Sequence, residues 1–372
     1  MRPFRLERYF AAHEFKVRHL LSASDCEGLR QAELLAMASP RSRALWRDLK
    51  LDYTESPGHT GLRAEIAGLY ERIPPDGIVV AAPEEAIFLA MQTLLEPGDH
   101  VIAVAPTYQS LTEIARAKGC RVTPWRLVPG PRGWRADLER LPKLANRRTR
   151  MLVINFPNNP TGAVLSAEEL PAVIAFARDR GLILFSDEMY RLLEWAPGVR
   201  RPAVCDLYEK GISLAGLSKA FALPGLRIGW LAAQDPSLTA RWLALKDYTT
   251  ICNSAPSEIL AIIALQNRDR ILARNHRIIR RNAARAARFF GARGRLFEWI
   301  PPCAGSVAFP RWKGGESVAR LCRDVLDRKG VMIVPGGMFD VPGHVRIGLG
   351  RMNFTAALAR FGEYLKERDL RA

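Results

Sequence analysis

A chain of 372 residues is longer than one hydrophobic core usually supports, so we expect two domains, or one large and one small domain. Hydrophobic residues make up 48% of the sequence, which excludes an extensively disordered protein. The 55 Lys and Arg residues outnumber the 38 Asp and Glu residues, giving a net charge of +17. Because the basic residues are scattered or spaced as on a solvated helix face, we do not expect a nucleic-acid partner.

The six cysteines lie far apart in the sequence, with no Cys-x-x-Cys pair and no Cys/His cluster. Neither a zinc site nor a disulfide framework is therefore predicted. The first fifteen residues are charged throughout and lack the apolar segment of a secretory signal. No apolar run approaches the length of a membrane span. We expect a soluble, cytoplasmic protein without a metal or a membrane partner.

The chain begins with a helical pattern at residues 29–37, a loop at 53–60 and an amphipathic helix from Gly61 to about Arg72. After the break at 74–77, strands and helices alternate. The strands are predicted at residues 78–82, 100–105, 151–156, 182–187 and 211–216, and the helices at 84–95, 107–118 and 166–180. This alternation predicts an α/β fold with a mainly parallel sheet covered by helices on both faces.

Beyond about residue 265 the pattern changes to a long Arg-rich helix at 269–295, a helix at 318–328, strands at 331–335 and 344–349, and a last helix from 355. We interpret this part as a smaller α/β domain. The predicted division is an N-terminal segment at 1–45, which contributes to the small domain and the ligand pocket, a large domain at 46–265, and a small C-terminal domain at 266–372.

The stretch SLAGLSKAFALPGLRIGW at 213–230 places Lys219 among apolar residues and Arg227 in a strand-like run. A lone lysine there is ordinarily a surface residue, but a charged ammonium is costly to desolvate, and only a neutral amine attacks a carbonyl. Asn159, Asp187 and Lys219 each follow the end of a predicted strand. Ligands of such sheets collect beyond the carboxyl ends of the strands, so these three residues predict a site.

Four motifs in the same order carry a family resemblance: FPNNPTG at 156–162, SDEMY at 186–190, Ser218-Lys219 followed by Arg227, and VRIGLGR at 345–351. Together they resemble the class I/II aminotransferases, which are fold-type I pyridoxal phosphate enzymes. The resemblance extends from Tyr53 to Arg346. The pattern AFP…VPG, at 308–310 and 334–336, is also similar to the branch that contains capreomycidine synthase, a cyclising member.

The resemblance implies the catalytic roles of three residues. Lys219 would hold pyridoxal phosphate as an internal aldimine and move the substrate α-proton. Asp187 would pair with the pyridinium nitrogen, and Tyr190 would hydrogen-bond the ring 3′-oxygen together with Asn159. Tyr108 would stack on the ring, although a core tyrosine is an equal alternative.

The resemblance also assigns the two ends of the ligand site. Ser218 and Arg227 would bind the cofactor phosphate, joined by Tyr53 of the neighbouring subunit, which implies a homodimer. Arg346 would clamp the substrate α-carboxylate with its bidentate fork. Small-molecule amino acids and 2-oxo acids are then the expected substrates.

Two departures from the family affect the phosphate site. Where the family has Gly-Ala-Thr-like residues, this chain has Ala82-Pro83-Glu84-Glu85-Ala86, and Pro83 has no N–H to donate. A position that is often serine is Gly216. The backbone N–H groups of Glu84 and Glu85 remain candidates for phosphate binding, and we expect Ser218, Arg227 and Tyr53 to bear more of the binding.

The sequence leaves several reactions and substrates open. The N-terminal segment, residues 13–27, would line the pocket, where Asp25 or Glu27 is a candidate contact for a basic side chain, and a solvated turn is the alternative. We favour transamination between an L-amino acid and a 2-oxo acid. Elimination, decarboxylation, cyclisation and oxidation use the same residues and stay open. Because the span before Tyr53 is short, we do not expect the DNA-binding domain that regulatory proteins on this fold carry.

Overall fold

The computed structural model describes residues 1–196 and 198–369, except for the side chain of Asp369. The strands are β1 (His19–Leu20), β2 (Ile78–Ala81), β3 (His100–Ala105), β4 (Arg121–Arg126), β5 (Val128–Gly130), β6 (Gly133–Arg135), β7 (Thr149–Asn155), β8 (Ile183–Asp187), β9 (Gly211–Gly216), β10 (Gly229–Ala233), β11 (Phe297–Glu298), β12 (Val307–Ala308), β13 (Arg311–Trp312), β14 (Val331–Met332), β15 (Val334–Pro335) and β16 (Val345–Gly348). The helices are α1 (Arg5–His13), α2 (Gln31–Leu35), α3 (Pro40–Arg47), α4 (Thr60–Ala67), α5 (Pro83–Leu94), α6 (Ser110–Ala117), α7 (Leu141–Leu144), α8 (Glu169–Asp179), α9 (Val204–Leu207), α10 (Pro236–Lys246), α11 (Ala255–Gln266), α12 (Arg268–Gly291), α13 (Val318–Lys329) and α14 (Phe354–Asp369).

A seven-stranded sheet in the order β2-β10-β9-β8-β7-β3-β4 forms the centre of the protein. Its strands run parallel except β10, which is antiparallel to both β2 and β9. The predicted mainly parallel sheet is therefore confirmed.

The central strands are apolar because both of their faces are covered. Every residue of β8 is buried, as is β7 from Met151 to Asn155. One hydrophobic core lies on each face: the first includes Val153 and Phe185, and the second includes Leu152 and Leu184. Burying such a side chain stabilises the folded state by roughly 1.5–3 kcal/mol. The buried strands therefore keep in place the sheet edge on which the polar residues lie.

Local signals account for the helix ends. The capping box predicted at Ser166 is present: the Ser166 N–H donates to Glu169 Oε2 over 2.7 Å, and the Glu169 N–H donates to Ser166 Oγ over 3.1 Å. The helix predicted at 107–118 begins only at Ser110, because Thr107 and Tyr108 after Pro106 have no regular secondary structure.

The strand-like interpretation of Arg227 is wrong. β10 begins at Gly229, and Arg227 ends a 3-10 turn at Pro224–Leu226 in the left-handed conformation, with φ +56°. Such a backbone is uncommon for a residue with a Cβ and costs about 1 kcal/mol or more. The turn leaves the Arg227 side chain exposed at the sheet edge.

The C-terminal residues build a second, smaller α/β region around the three-stranded sheet β12-β16-β15 and the long helix α12. The N-terminal strand β1 pairs in parallel with β14, so the first residues of the chain join this region. A smaller α/β region beside the large sheet was predicted and is confirmed, whereas the residue numbers that divide the domains remain a prediction. No helix in the described part of the chain is long and apolar enough to cross a membrane.

Candidate active site

The candidate site lies beyond the carboxyl ends of β7, β8 and β9. Asn155, the last residue of β7, pairs in register with Asp187, the last residue of β8. β9 ends at Gly216, shortly before Ser218 and Lys219. Parallel strands thus bring residues that are far apart in sequence to one edge of the sheet.

Asp187 is a buried carboxylate at the base of the site. Its Oδ1 accepts the Met189 N–H over 3.0 Å. Burial raises its pKa to about 7; the charge of Glu188 acts in the same direction, while the Met189 N–H and the ammonium of Lys219 oppose it. A cationic group placed opposite Asp187 would restore the charged form.

The NNP loop after β7 is held by an asparagine network. Asn155 Oδ1 accepts the Asn159 N–H over 3.0 Å, and Asn158 Oδ1 accepts the Thr161 hydroxyl over 2.6 Å. Asn158 Nδ2 also donates to the Pro106 carbonyl over 3.0 Å. These bonds fix the buried Asn159 side chain above the sheet edge.

Arg346 reaches the site from β16. Its side chain is 1% exposed, Nη1 donates to Asn159 Oδ1 over 3.2 Å, and Nη2 donates to the Ser22 carbonyl over 3.1 Å. The guanidinium lies between the rings of Phe10 and Phe339, at 5.6 and 5.3 Å from their centroids. Its Nε has no hydrogen-bond partner among the described residues. A buried cation with a free donor is suited to a carboxylate ligand.

Lys219 lies between the N-terminal segment and Tyr190. Lys219 Nζ donates to Ser24 Oγ over 2.9 Å and sits 5.9 Å from the centroid of the Tyr190 ring. The Tyr190 hydroxyl donates to the Ser24 carbonyl over 3.2 Å, and Ser306 Oγ donates to the same oxygen over 2.6 Å. Ser24 therefore positions both the amine and the phenol.

Tyr108 is half-buried at the mouth of the site. Its hydroxyl donates to Glu7 Oε1 over 2.6 Å, and its ring packs on Phe4 with centroids 4.9 Å apart. Burial and the negative charges of Glu84 and Glu7 raise the pKa of the phenol. These contacts orient the ring of Tyr108, and both come from the N-terminal segment.

The two departures at the phosphate side pack against the same glycine. A Cβ at Gly216 would lie 3.0 Å from the Gly229 Cα, and a Cβ at Gly229 would lie 3.0 Å from the Pro83 ring. Gly216 and Gly229 are paired in the sheet, and Pro83 is the first residue of α5. A side chain at Gly216 would therefore press on the backbone of β10, at Gly229 and the Ile228 carbonyl, and would require a small shift of that strand.

The two glutamates of α5 point in different directions. Glu85 Oε1 accepts hydrogen bonds from Thr249 and Thr250, away from the site. Glu84 is half-buried, and desolvation raises its pKa to about 7, opposed by the Ser110 hydroxyl. The Ser110 hydroxyl is close to Glu84 but outside hydrogen-bond geometry, so its Oγ is unpartnered within the described ranges.

Three predicted residues are not brought to Lys219 as free side chains. Tyr53 is 87% exposed in this single chain. Asp25 accepts hydrogen bonds from Arg351 Nη2 at 2.9 and 3.1 Å, so a basic substrate group would have to compete with Arg351. Glu27 accepts the Met352 N–H over 3.0 Å.

The sequence interpretation assigned no role to several residues of the site. These are Glu7, Phe10, Asn155, Ser306 and Phe339; Ser24 was expected only as part of the segment 13–27 that lines the pocket. Asn155 was detectable, because it is polar and ends a predicted strand as Asp187 does. The others depend on contacts between distant parts of the chain and have no local signal.

Comparison with known proteins identifies similar chains along the whole length. The family model for aminotransferase class I and II matches residues 20–359. Capreomycidine synthase from Streptomyces vinaceus is 31% identical over 372 residues, which cover 97% of this chain and 93% of that protein.

Two solved structures share the fold closely. A PLP-dependent aminotransferase from Streptococcus suis 89-1591 has a TM-score of 0.92 and 30% identity, with 98% of each chain covered. The PLP-dependent cyclase OrfR has a TM-score of 0.90 and 30% identity, with 99% of this chain and 98% of that one covered.

Proposed function

Because the chain belongs to the class I and II aminotransferase family, we propose that it moves an amino group from an L-amino acid to a 2-oxo acid. Its cofactor is pyridoxal phosphate. The proposal depends on the hydrogen bond from Arg346 Nη1 to Asn159 Oδ1, over 3.2 Å. This pair lies in the same site as Lys219 and Asp187. It places a carboxylate-binding guanidinium next to an amine and a buried acid.

The residues present fit this cofactor. Asp187 has a pKa raised to about 7, mainly because it is buried, and a protonated ring nitrogen would be a cationic partner for this carboxylate. Arg346 Nε and the Ser22 hydroxyl are buried without partners among the residues that the structure describes. These orphaned polar atoms suit a polar ligand. When bound, the cofactor ring supplies the electron sink for the carbanion.

The protein's own groups perform three tasks in this proposal. Arg346 binds the α-carboxylate, so that the Cα–H bond has a fixed orientation. Lys219 Nζ takes the proton from Cα as general base, and Ser24 Oγ, at 2.9 Å, holds the amine in place. Asp187 stays charged and keeps the opposing ring nitrogen protonated.

At the phosphate end we assign binding to Ser218, Arg227 and the N-terminus of α5. Ser218 is buried and Arg227 is exposed at the same sheet edge. Arg227→Ala is expected to weaken cofactor binding, measured by equilibrium titration of the cofactor-free protein. Unchanged affinity in this variant would contradict the assignment.

A homodimer would complete the site with Tyr53 of the neighbouring subunit. The loop of Leu51 and Tyr53 is hydrogen-bonded to the loop of Tyr248 and Ile251 through Ser56 and Asp247, at 3.5 Å. These four large side chains are 50–88% exposed. An exposed apolar surface of this kind is typical of an interface.

Cyclisation is the second candidate. It is supported by the 31% identity with capreomycidine synthase and by the likeness to a cyclase of 30% identity. The same proton transfer at Cα begins both reactions, so the binding residues do not distinguish them.

One experiment separates the two reactions. Purified protein with pyridoxal phosphate is incubated with single amino acids, with and without a 2-oxo acid, while cofactor absorbance and products are followed. Transamination predicts conversion to the amine form and a requirement for the acceptor. A cyclic product formed without an acceptor would instead establish cyclisation. Lys219→Ala should abolish either reaction, and Lys143→Ala, at an exposed lysine in α7, should not.

A further inference from the structure

The loop between β11 and β12 is hydrogen-bonded to loops of the large sheet, although it belongs to the C-terminal region. It reads Cys-Ala-Gly-Ser at residues 303–306, and we call it the CAGS loop. The Cys303 N–H donates to the Gly162 carbonyl over 2.9 Å, just after the NNP loop. The Gly305 N–H donates to the Leu193 carbonyl over 2.9 Å, in the loop that follows β8. The CAGS loop therefore connects the loops that follow β7 and β8.

Trp195 adds two hydrogen bonds to the CAGS loop. Its indole Nε1–H donates to the Gly305 carbonyl over 2.8 Å, and its backbone N–H donates to the Cys303 carbonyl over 3.3 Å. An antiparallel β-bridge also pairs Glu194 with Ala304. Because the N–H and the carbonyl of Gly305 are both bonded to the loop that follows β8, the backbone of Gly305 is fixed relative to that loop.

Gly305 lies directly against the Tyr190 ring. A Cβ at Gly305 would be 3.2 Å from Tyr190 Cδ1 and 3.7 Å from Tyr190 Cγ, and the Gly305 backbone has φ +77°. Both the contact and the left-handed backbone therefore favour glycine. The Tyr190 side chain is buried, and its hydroxyl donates to the Ser24 carbonyl over 3.2 Å. The CAGS loop thus holds one end of the ring, and the N-terminal segment holds the hydroxyl.

We propose that Trp195 is a positioning residue for the proposed reaction. Through its indole N–H it holds Gly305 against the Tyr190 ring, and this contact fixes the phenol where it donates to the 3′-oxygen of the cofactor. Hydrogen bonds weaken steeply when their distance or angle departs from the optimum, so a small shift of the ring has a measurable effect. This inference rests on the proposed function, since it requires pyridoxal phosphate beside Tyr190.

The test compares Trp195→Phe with Trp312→Phe in full-length protein loaded with pyridoxal phosphate. Each change keeps an aromatic ring and removes one indole N–H that donates to a backbone carbonyl. In the control, Trp312 Nε1 donates to the Glu316 carbonyl over 3.0 Å, outside the candidate site. The readout is the pH midpoint of the visible absorption of the bound cofactor, which requires no turnover.

A phenol donor stabilises the ionised 3′-oxygen, so a misplaced Tyr190 should raise this midpoint. We expect an increase of about 0.5 pH unit for Trp195→Phe and none for Trp312→Phe.

Tyr190→Phe separates positioning from a merely structural role. This change removes the phenol and should raise the midpoint by about 1–2 pH units. In this background Trp195→Phe should add no further increase, because both residues act on one hydrogen bond. Should Trp195→Phe fail to fold, Gly305→Ala tests the same contact, since its Cβ would press on the ring. It should raise the midpoint only while Tyr190 is present.

Steady-state kinetics give a second readout. Trp195→Phe should lower kcat by about 3–10-fold and leave KM within about twofold, because Arg346 is not displaced. An unchanged midpoint in Trp195→Phe, an equal shift in Trp312→Phe, or a further shift in the Tyr190→Phe background would overturn the inference. Failure of the wild type to convert the cofactor to the amine form with any amino acid would instead overturn the proposed transamination. The midpoint comparison would still decide the role of Trp195.

Discussion

Asp187→Asn should make the cofactor-free protein more stable, while removing the negative charge that we assign to the cofactor ring nitrogen. The carboxylate is 5% exposed and accepts the Met189 N–H at 3.0 Å. An asparagine Oδ1 can accept the same bond, so the local backbone is preserved. The substitution removes only the charge that the folded protein buries.

The magnitude follows from the pKa of the Asp187 carboxyl, which is 3.8 as its ordinary value and about 7 in the fold. Because the folded pKa is raised, the favourable contribution of the neutral acid is complete below pH 3.8 and is lost as the pH rises through 7. Linkage gives a cost of about 4 kcal/mol at pH 8 and about 2 kcal/mol at pH 5. The stabilisation by Asp187→Asn should therefore grow by about 2–3 kcal/mol between these pH values.

The assay is urea unfolding of wild-type and variant protein without cofactor at pH 5 and pH 8. Asp179→Asn, an exposed aspartate at the end of α8, makes the same charge change and should show little pH-dependent difference. With pyridoxal phosphate present, the order should reverse, since Asp187 then has a cationic partner. If the stability gain of Asp187→Asn is the same at both pH values, the carboxylate is not a buried, destabilising charge and the reasoning fails.

Three further predictions address other parts of the site. Arg346→Lys should raise KM for the amino acid by about 30–100-fold, because a lysine cannot form the bidentate fork; steady-state kinetics would show this, with cofactor absorbance unchanged. Co-expressed Tyr53→Ala and Lys219→Ala chains should recover about a quarter of wild-type sites, since half the dimers are hybrids with one intact site; no recovery would mean that Tyr53 acts within its own chain. Asp25→Asn should lower thermal stability without changing the ranking of substrates, because Arg351 already binds the carboxylate; a selective loss for basic amino acids would instead make Asp25 a substrate contact.

The sequence predicted the site residues that have local signals. Asp187 and Asn159 follow apolar strands that are buried on both faces, and parallel strands end at one edge. The order of four motifs predicted the family, which the match over residues 20–359 confirms. Lys219 was found in the same way, from an apolar neighbourhood and its place after β9.

The sequence patterns could not predict the tertiary contacts of the site. Ser24 and Lys219 are 195 positions apart, and Glu7 and Tyr108 are 101 apart, so no periodicity links them. The left-handed backbone of Arg227 was also missed, since apolar neighbours favour a strand and the turn is imposed by Pro224 and the start of β10 at Gly229.

The N-terminal segment connects the two parts of the protein across the site. Arg2 binds Glu113 on the large-sheet side, whereas Arg5 binds Asp340 and Tyr9 donates to the Ile333 carbonyl at 3.0 Å on the other side. The Arg5–Asp340 pair is exposed and contributes about 0–1 kcal/mol. The bonds of Arg2 to the buried Glu113, the buried Leu6 and the aromatic contacts therefore hold the segment.

From this arrangement we expect the segment to influence substrate choice. Helix α1 supplies Glu7 to Tyr108 and Phe10 to Arg346, and the loop after β1 supplies Ser24 to Lys219. The groups of the large sheet that we assign to the cofactor are thus covered by side chains from the first 25 residues. Changes within those residues can alter the shape and charge of the substrate pocket while leaving Asp187 and the phosphate-binding residues in place.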